Sequence, residues 1–490
     1  MLFNSIQFAL FLPIVFLLYW FVFDRFISKS KHQLKLQNAF VVVASYVFYG
    51  WWDWRFLLLI AFTSFCSWGS GMLMQKVENQ QIDPILTGGG NSLKINQLQR
   101  KKKLITTANI VLNLLILAVF KYYDFFVTEF AQLFHISTDG LLLKVILPVG
   151  ISFYTFQAIS YTVDVYRGDV KPTRDAVAFC VFIAFFPQLV AGPIERASNL
   201  LPQFLRKKSF DYDTAVIGMR QILWGLAKKV IIADSIGYYV DYLLYNPYHF
   251  TAASMLWAGV LFVVQIYADF SGYSDIAIGS ARLFNIRLRP NFRYPFFSRN
   301  MKELWQRWHI SLISWFRHYV YFPMGGSRRG RWRTALNVMV LFLLSGLWHG
   351  ADWTFVIWGV VNGLLVLPFV FLPKRRLSEH AGLRDLPRIV VTFLLFALSA
   401  IAFRAANIAH LGEILDVVLN TSWLVRPTFG QPIFYMVPFF IIEWLGRRQE
   451  FPLERMPFPA AVRWLIYWLL TVGISVCGLD RDMQFIYFQF

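Results

Sequence analysis

Charge is what this 490-residue chain has least of. Asp, Glu, Lys and Arg make up 15% of it, against about a quarter in a water-soluble chain. A surface facing water cannot be built from that share, which excludes a soluble enzyme and, with it, disorder, collagen and coiled coil. Cysteine is nearly absent. Cys66, Cys180 and Cys477 sit singly within apolar runs, so there is no disulfide framework and no thiolate metal spacing, and they read as packing residues. Acidic groups are scarcer than basic ones, 28 against 47, leaving +19 with the eight histidines neutral. What is abundant is apolar: 57% hydrophobic residues, with 50 Phe, 22 Tyr and 18 Trp.

Twelve apolar runs follow one another, from 1–23 to 464–479. About 20 apolar residues cross the hydrocarbon core, so the expected fold is all-α, a polytopic membrane protein of about ten to twelve transmembrane helices. The first run has no basic leader and no small-residue cleavage pattern, and Arg25, Lys29, Lys31 and Lys35 follow it; it reads as an anchor. The basic residues lie in short loops, where they set topology and meet anionic headgroups, so nucleic acid is not an expected partner. The positive-inside rule places Arg100 to Lys103, Lys374-Arg375-Arg376 and Arg447-Arg448 in the cytoplasm, and puts both termini outside. Basic clusters at 206–208, 228–229, 287–299 and 328–333 come too densely for full crossings between them, which predicts re-entrant or interfacial helices. The chain reads as one membrane domain over 1–490. Residues 78–103 form a cytoplasmic loop with a flexible Gly88-Gly89-Gly90, and 451–459 a Pro-rich linker.

Chemistry concentrates in the central third. KELWQRWHISLISWFRHYVY (Lys302–Tyr321) sets Glu303, Arg307, His309, Arg317 and His318 among aromatic residues, with Arg307 able to pair with Glu303 at i, i+4. Trp305, Trp308, Leu312 and Trp315 form an apolar stripe. Two readings stand: an interfacial helix with Trp at headgroup level, or ionisable groups held at depth for function. The apolar run 335–348 is 14 residues, roughly 21 Å at the helical rise of ~1.5 Å, short of the ~30 Å core. If it starts at Arg328 to Arg333, it ends inside the bilayer and leaves His349 there, beside Gly350. Such a histidine is a packed core residue or a base able to take a proton from a hydroxyl. Ser345, one turn earlier, is expected to back-bond to its helix; for Asp269 and Asp275 two readings stand, binding of a cation or proton and, the favoured one, anchoring of Arg282 or Arg287. Walker, HExxH and GxSxG motifs are missing, as is any Cys/His cluster, so no metal is expected.

Six ordered motifs carry a resemblance. QAISYTVDVYR (Gln157–Arg167), FPQLVAGPI (Phe186–Ile194), YADFSGYSD (Tyr267–Asp275), WQRWHIS (Trp305–Ser311), YFPMGG (Tyr321–Gly326) and SGLWHG (Ser345–Gly350) together resemble the membrane-bound O-acyltransferase (MBOAT) family, alginate O-acetylase type. The resemblance runs to about Val370 and makes 281–372 the catalytic-motif region. It implies helices around a central funnel, in which acyl groups pass from a cytoplasmic thioester toward an acceptor on the other side. Carried over residue by residue, it makes His349 the catalytic histidine and His309 the second site residue. Relatives have Arg-Asp-Tyr where this chain has Arg317-His318-Tyr319, which leaves the role of His318 open.

The resemblance further implies acetyl-CoA as donor substrate with no permanently bound cofactor. It also implies a polysaccharide acceptor, a periplasmic SGNH-type acetyltransferase partner and residence in the bacterial inner membrane. Arg287, Arg289, Arg293, Arg328, Arg329 and Arg331 are then candidates for the coenzyme A phosphates, topology and lipid contact being the other reading for each. Three alternative functions stay open: D-alanyl or peptidoglycan acyl transfer, export of an acylated small molecule, and a non-enzymatic scaffold for a polysaccharide synthase.

Overall fold

A computed structural model describes the chain apart from residues 24–31, 87–91, 374–377, 426, 428–429, 479–484 and 487–490, and apart from the side chains of 81–86 and 92–94. Arg25, Lys29, Lys31, Gly88-Gly89-Gly90, Lys374-Arg375-Arg376 and Asp480 therefore lie outside the described residues. Those that are described form helices and no strand. Among the described residues, six helical stretches are long and apolar enough to cross a membrane: Phe56–Gln80, Ile95–Leu133, Ala252–Leu283, Trp353–Phe371, Leu383–Arg404 and Ala460–Gly478. Ile6–Val22 and Pro432–Gly446 are shorter apolar helices. The protein is an all-α, polytopic membrane protein.

Two compact units make up the chain, one of residues 1–215 with 280–288, the other of 216–279 with 289–490. The first contains α1 (Ile6–Leu17), α2 (Gln33–Asp53), α3 (Phe56–Leu86), α4 (Ser92–Leu117), α5 (Tyr123–Leu133), α6 (Ile151–Arg167), α7 (Ala176–Ala184) and α8 (Ala197–Phe204). Polar side chains join its apolar helices where no water competes. Asn109 of α4 donates to Thr162 of α6 at 2.5 Å and to Ser67 and Ser70 of α3 at 3.3 Å each. The expected loop at 78–103 is corrected here, because α3 continues to Leu86 and α4 starts at Ser92. Gln, Lys, Arg and Leu favour helix, and in this stretch polarity marks helix ends rather than coil. Lys102 meets Glu78 across the pair at 3.4 Å.

The second unit takes most of α9 (Tyr212–Leu226), then α10 (Asp234–Tyr245), α11 (Ala252–Leu283, whose last turn belongs to the first unit), α12 (Met301–Arg307) and α13 (Ile310–Phe316). After these come α14 (Arg331–His349), α15 (Trp353–Val366), α16 (Leu386–Arg404), α17 (Ile408–Asn420), α18 (Pro432–Gly446) and α19 (Ala460–Gly478). The 451–459 stretch is no free linker: Phe451 and Leu453 are buried, and Pro452 packs onto Gly446. Burial of those two side chains ties down a segment whose prolines alone suggest a spacer.

Close backbone approach organises α9 against α11. A Cβ on Gly225 would stand 2.6 Å from the carbonyl oxygen of Gly272, and one on Gly272 2.7 Å from that of Gly225. Seven residues along each helix, Gly218 and Gly279 repeat the contact. Small residues at this spacing let two apolar helices touch along their backbones.

Candidate active site

His349 closes α14 and packs into an aromatic cluster of the second unit. Helix α14 lies against α15 because Gly346 and Gly359 meet without side chains; a Cβ on Gly359 would reach 2.5 Å from the Phe342 carbonyl. Asp352 caps α15 by accepting from the Thr354 amide at 2.8 Å, which turns the chain sharply after His349. The imidazole packs edge-on against Trp358 at 5.1 Å and Phe403 at 5.2 Å between ring centroids.

His309 reaches the same cluster from a break between α12 and α13. Its backbone is left-handed, with φ 42°, a conformation that a non-glycine residue keeps only where the surroundings hold it. Asn291 does much of that holding. Its carbonyl accepts from the Ile310 amide at 2.8 Å, its side-chain oxygen from Ser311 at 2.6 Å, and its amide donates to Ser274 of α11 at 3.0 Å. The His309 ring then stands perpendicular to Phe270 at 4.7 Å and 5.7 Å from Trp348. The two histidine rings are 6.3 Å apart at 54°, and both residues are at most 5% exposed.

The segment 302–321 does not show the outward tryptophan face of a single interfacial helix. The segment is two seven-residue helices rather than one, and Trp305, Trp308, Leu312 and Trp315 are all buried. Glu303 pairs with Arg307 at 2.8 Å as its spacing predicts, and with Arg299 at 2.7 Å, a partner outside the motif. Burial pushes the Glu303 carboxyl up, but hydrogen bonds from Arg299 and the charges of Arg307 and Arg299 outweigh it and hold it below the usual range. The two arginines also bind the next segment, Arg299 donating to the Ser378 carbonyl at 2.6 Å and Arg307 to that of Glu379 at 2.9 Å.

Among the described residues, Asp269 and Asp275 pair with lysines rather than with Arg282 or Arg287. Lys229 meets Asp269 and Asp234 at 2.8 Å each, and Lys228 meets Asp275 at 2.6 Å and Ser271 at 2.9 Å. The π-helical turn Ala227–Ala233 presents both neighbouring lysines to α11, and the glycine contact brings them within reach. Arg282 lies two turns further along the same helix as Asp275. Ser345, buried, makes no back-bond: its hydroxyl has no hydrogen-bond partner among the described residues. His318 is half-buried in the turn Arg317–Tyr321, beside Tyr319 and Phe322. All six candidate phosphate-binding arginines are exposed; Arg287 belongs to the first unit and Arg289, Arg293, Arg328, Arg329 and Arg331 to the second. Asn291, Arg299 and Phe403 are the site residues that sequence reasoning missed.

Fold and site together define a helical membrane protein with two buried histidines beside each other in an aromatic cluster. The family model described as MBOAT, membrane-bound O-acyltransferase family, matches residues 173–402, which include both histidines. A protein described as probable alginate O-acetylase AlgI in Pseudomonas putida is 36% identical over the whole of both chains. One of the same description in Pseudomonas aeruginosa is 36% identical over 83% of this chain and 73% of its own. A peptidoglycan O-acetyltransferase of Helicobacter pylori is 32% identical over 86% of this chain and 80% of its own. This chain belongs to the membrane-bound O-acyltransferase family.

Proposed function

We propose that the chain takes acetyl groups from cytoplasmic acetyl-CoA and passes them through the inner membrane for O-acetylation of an exported, alginate-like polysaccharide. The observation that carries this reading is the buried histidine pair, 6.3 Å between ring centroids among aromatic side chains, and the relatives described as alginate O-acetylases support the acceptor class. Acyl transfer from a thioester needs a base for the incoming hydroxyl and a donor for the tetrahedral oxyanion. His349 is the base, and His309, fixed by Asn291, orients or polarises the acyl carbonyl.

The hydroxyl proton goes to His349, the acetyl carbon changes from sulfur to oxygen, and coenzyme A leaves as a thiolate that is protonated from solvent. Exposed Arg287, Arg289, Arg293, Arg328, Arg329 and Arg331 supply phosphate contacts on the cytoplasmic side, both termini face the periplasm, and an SGNH-type periplasmic partner makes the final glycan modification. The test is release of coenzyme A by the purified protein with a panel of glycans. His349→Ala should lower it by about 10²–10⁴-fold, whereas wild-type turnover in that variant would remove the assignment. An exporter would instead show substrate counterflow with no thioester cleavage.

A further inference from the structure

Helix α10 ends in a run of exposed tyrosines. Tyr238, Tyr242 and Tyr245 are 63%, 60% and 91% exposed, and their i, i+4, i+7 spacing puts them on one face. With Asp241, His249 and Phe250 they line an open recess of about 410 Å³, within the ~300–1,000 Å³ range of ligand pockets. Its walls are fixed. Arg404, at the end of α16, pairs with Asp241; Tyr242 stands perpendicular to Phe250 at 5.5 Å; and His410 of α17 contacts the Leu244 carbonyl at 2.8 Å.

We infer that this recess binds pyranose units of the acceptor polysaccharide. A sugar ring has apolar C–H faces, which lie on aromatic rings, and a rim of hydroxyls that need the polar atoms Asp241, Asn246 and His249 offer. A lipid tail leaves those groups without partners, and a protein partner needs a broad patch of about 800 Å² rather than a single recess. Location agrees. Helix α11 starts at Ala252, just beyond the recess, and its 32 residues rise ~48 Å to an end followed by Arg287, Arg289 and Arg293. The positive-inside rule puts that arginine end in the cytoplasm and the tyrosines outside, where an exported glycan is found. This inference rests on the acetylation reading given under Proposed function.

The test uses the full chain in lipid nanodiscs, titrated by calorimetry with a mannuronate oligosaccharide and a neutral cello-oligosaccharide. Binding of either should weaken about tenfold when Tyr242→Ala and Tyr245→Ala are combined. It should stay near wild type in the paired Phe variants, which keep the rings, and acetyl-CoA cleavage should be unchanged in all of them. Equal binding by the Ala variant, or no binding of either sugar by the wild type, overturns the inference, as does loss of an SGNH-type protein's binding where the wild type binds no sugar. A chain that cleaves acetyl-CoA but binds neither oligosaccharide keeps the acetylation reading and loses this one; one that binds sugar without cleaving acetyl-CoA does the reverse.

Discussion

A buried carboxylate between two arginines is worth most when all three are present. Glu303 has a 7% exposed side chain and holds Arg299 and Arg307 together, so Glu303→Gln leaves two cations facing a neutral amide and should destabilise the second unit by about 3–5 kcal/mol. Because the folded carboxyl titrates below its unfolded value of about 4.3, its contribution is full above that pH and is lost as pH falls through the depressed folded value. Thermal melts should therefore be level for this group from pH 8 to 5 and fall in stronger acid, and the acid fall should shrink in Glu303→Gln. The Glu303–Arg307 pair is legible from spacing alone. Arg299 is not, because it lies before the helix and reaches Glu303 only once the chain turns at Asn300, whose side chain caps α12.

Two helix pairs of the second unit are set by glycine, α9 with α11 and α14 with α15. Gly225 and Gly272 bring α9 and α11 close enough for Lys228 and Lys229 to reach Asp275 and Asp269. Gly272→Leu should wedge the helices apart, cost at least the ~1–3 kcal/mol of overpacking, and lower the yield of folded protein in detergent. Gly412 of α17 has nothing within reach of an added Cβ and lies inside a helix, so Gly412→Ala should raise stability by roughly 0.5–1 kcal/mol and shift the melt upward. The sequence shows the lysines and aspartates as charges in apolar surroundings. It does not show the pairing, because which helices touch depends on glycine faces contributed by segments about 50 residues apart. The break at His309 is equally hidden, since Lys302–Tyr321 reads as one continuous amphipathic helix and the left-handed turn is imposed by Asn291.

At the scale of the whole molecule, sparse charge is enough to establish the membrane class, and the ordered motifs alone mark both histidines. The arginine distribution predicts a topology that cysteine labelling tests. In a variant lacking Cys66, Cys180 and Cys477, Tyr245→Cys should react with an impermeant maleimide in intact cells, and Arg329→Cys only after lysis; the opposite pattern reverses the orientation. The burial of Phe451 and Leu453 shows what composition cannot give, since proline content describes backbone stiffness and says nothing of whether the side chains between find a core. The central claim is that His349 carries acyl transfer. Its most direct measurement is turnover of radiolabelled acetyl-CoA by purified His349→Ala beside the wild type, with matching melts as a check on folding. Loss of general-base catalysis, about 10²–10⁴-fold in rate, is the result this account predicts; a folded His349→Ala protein with wild-type turnover would contradict it.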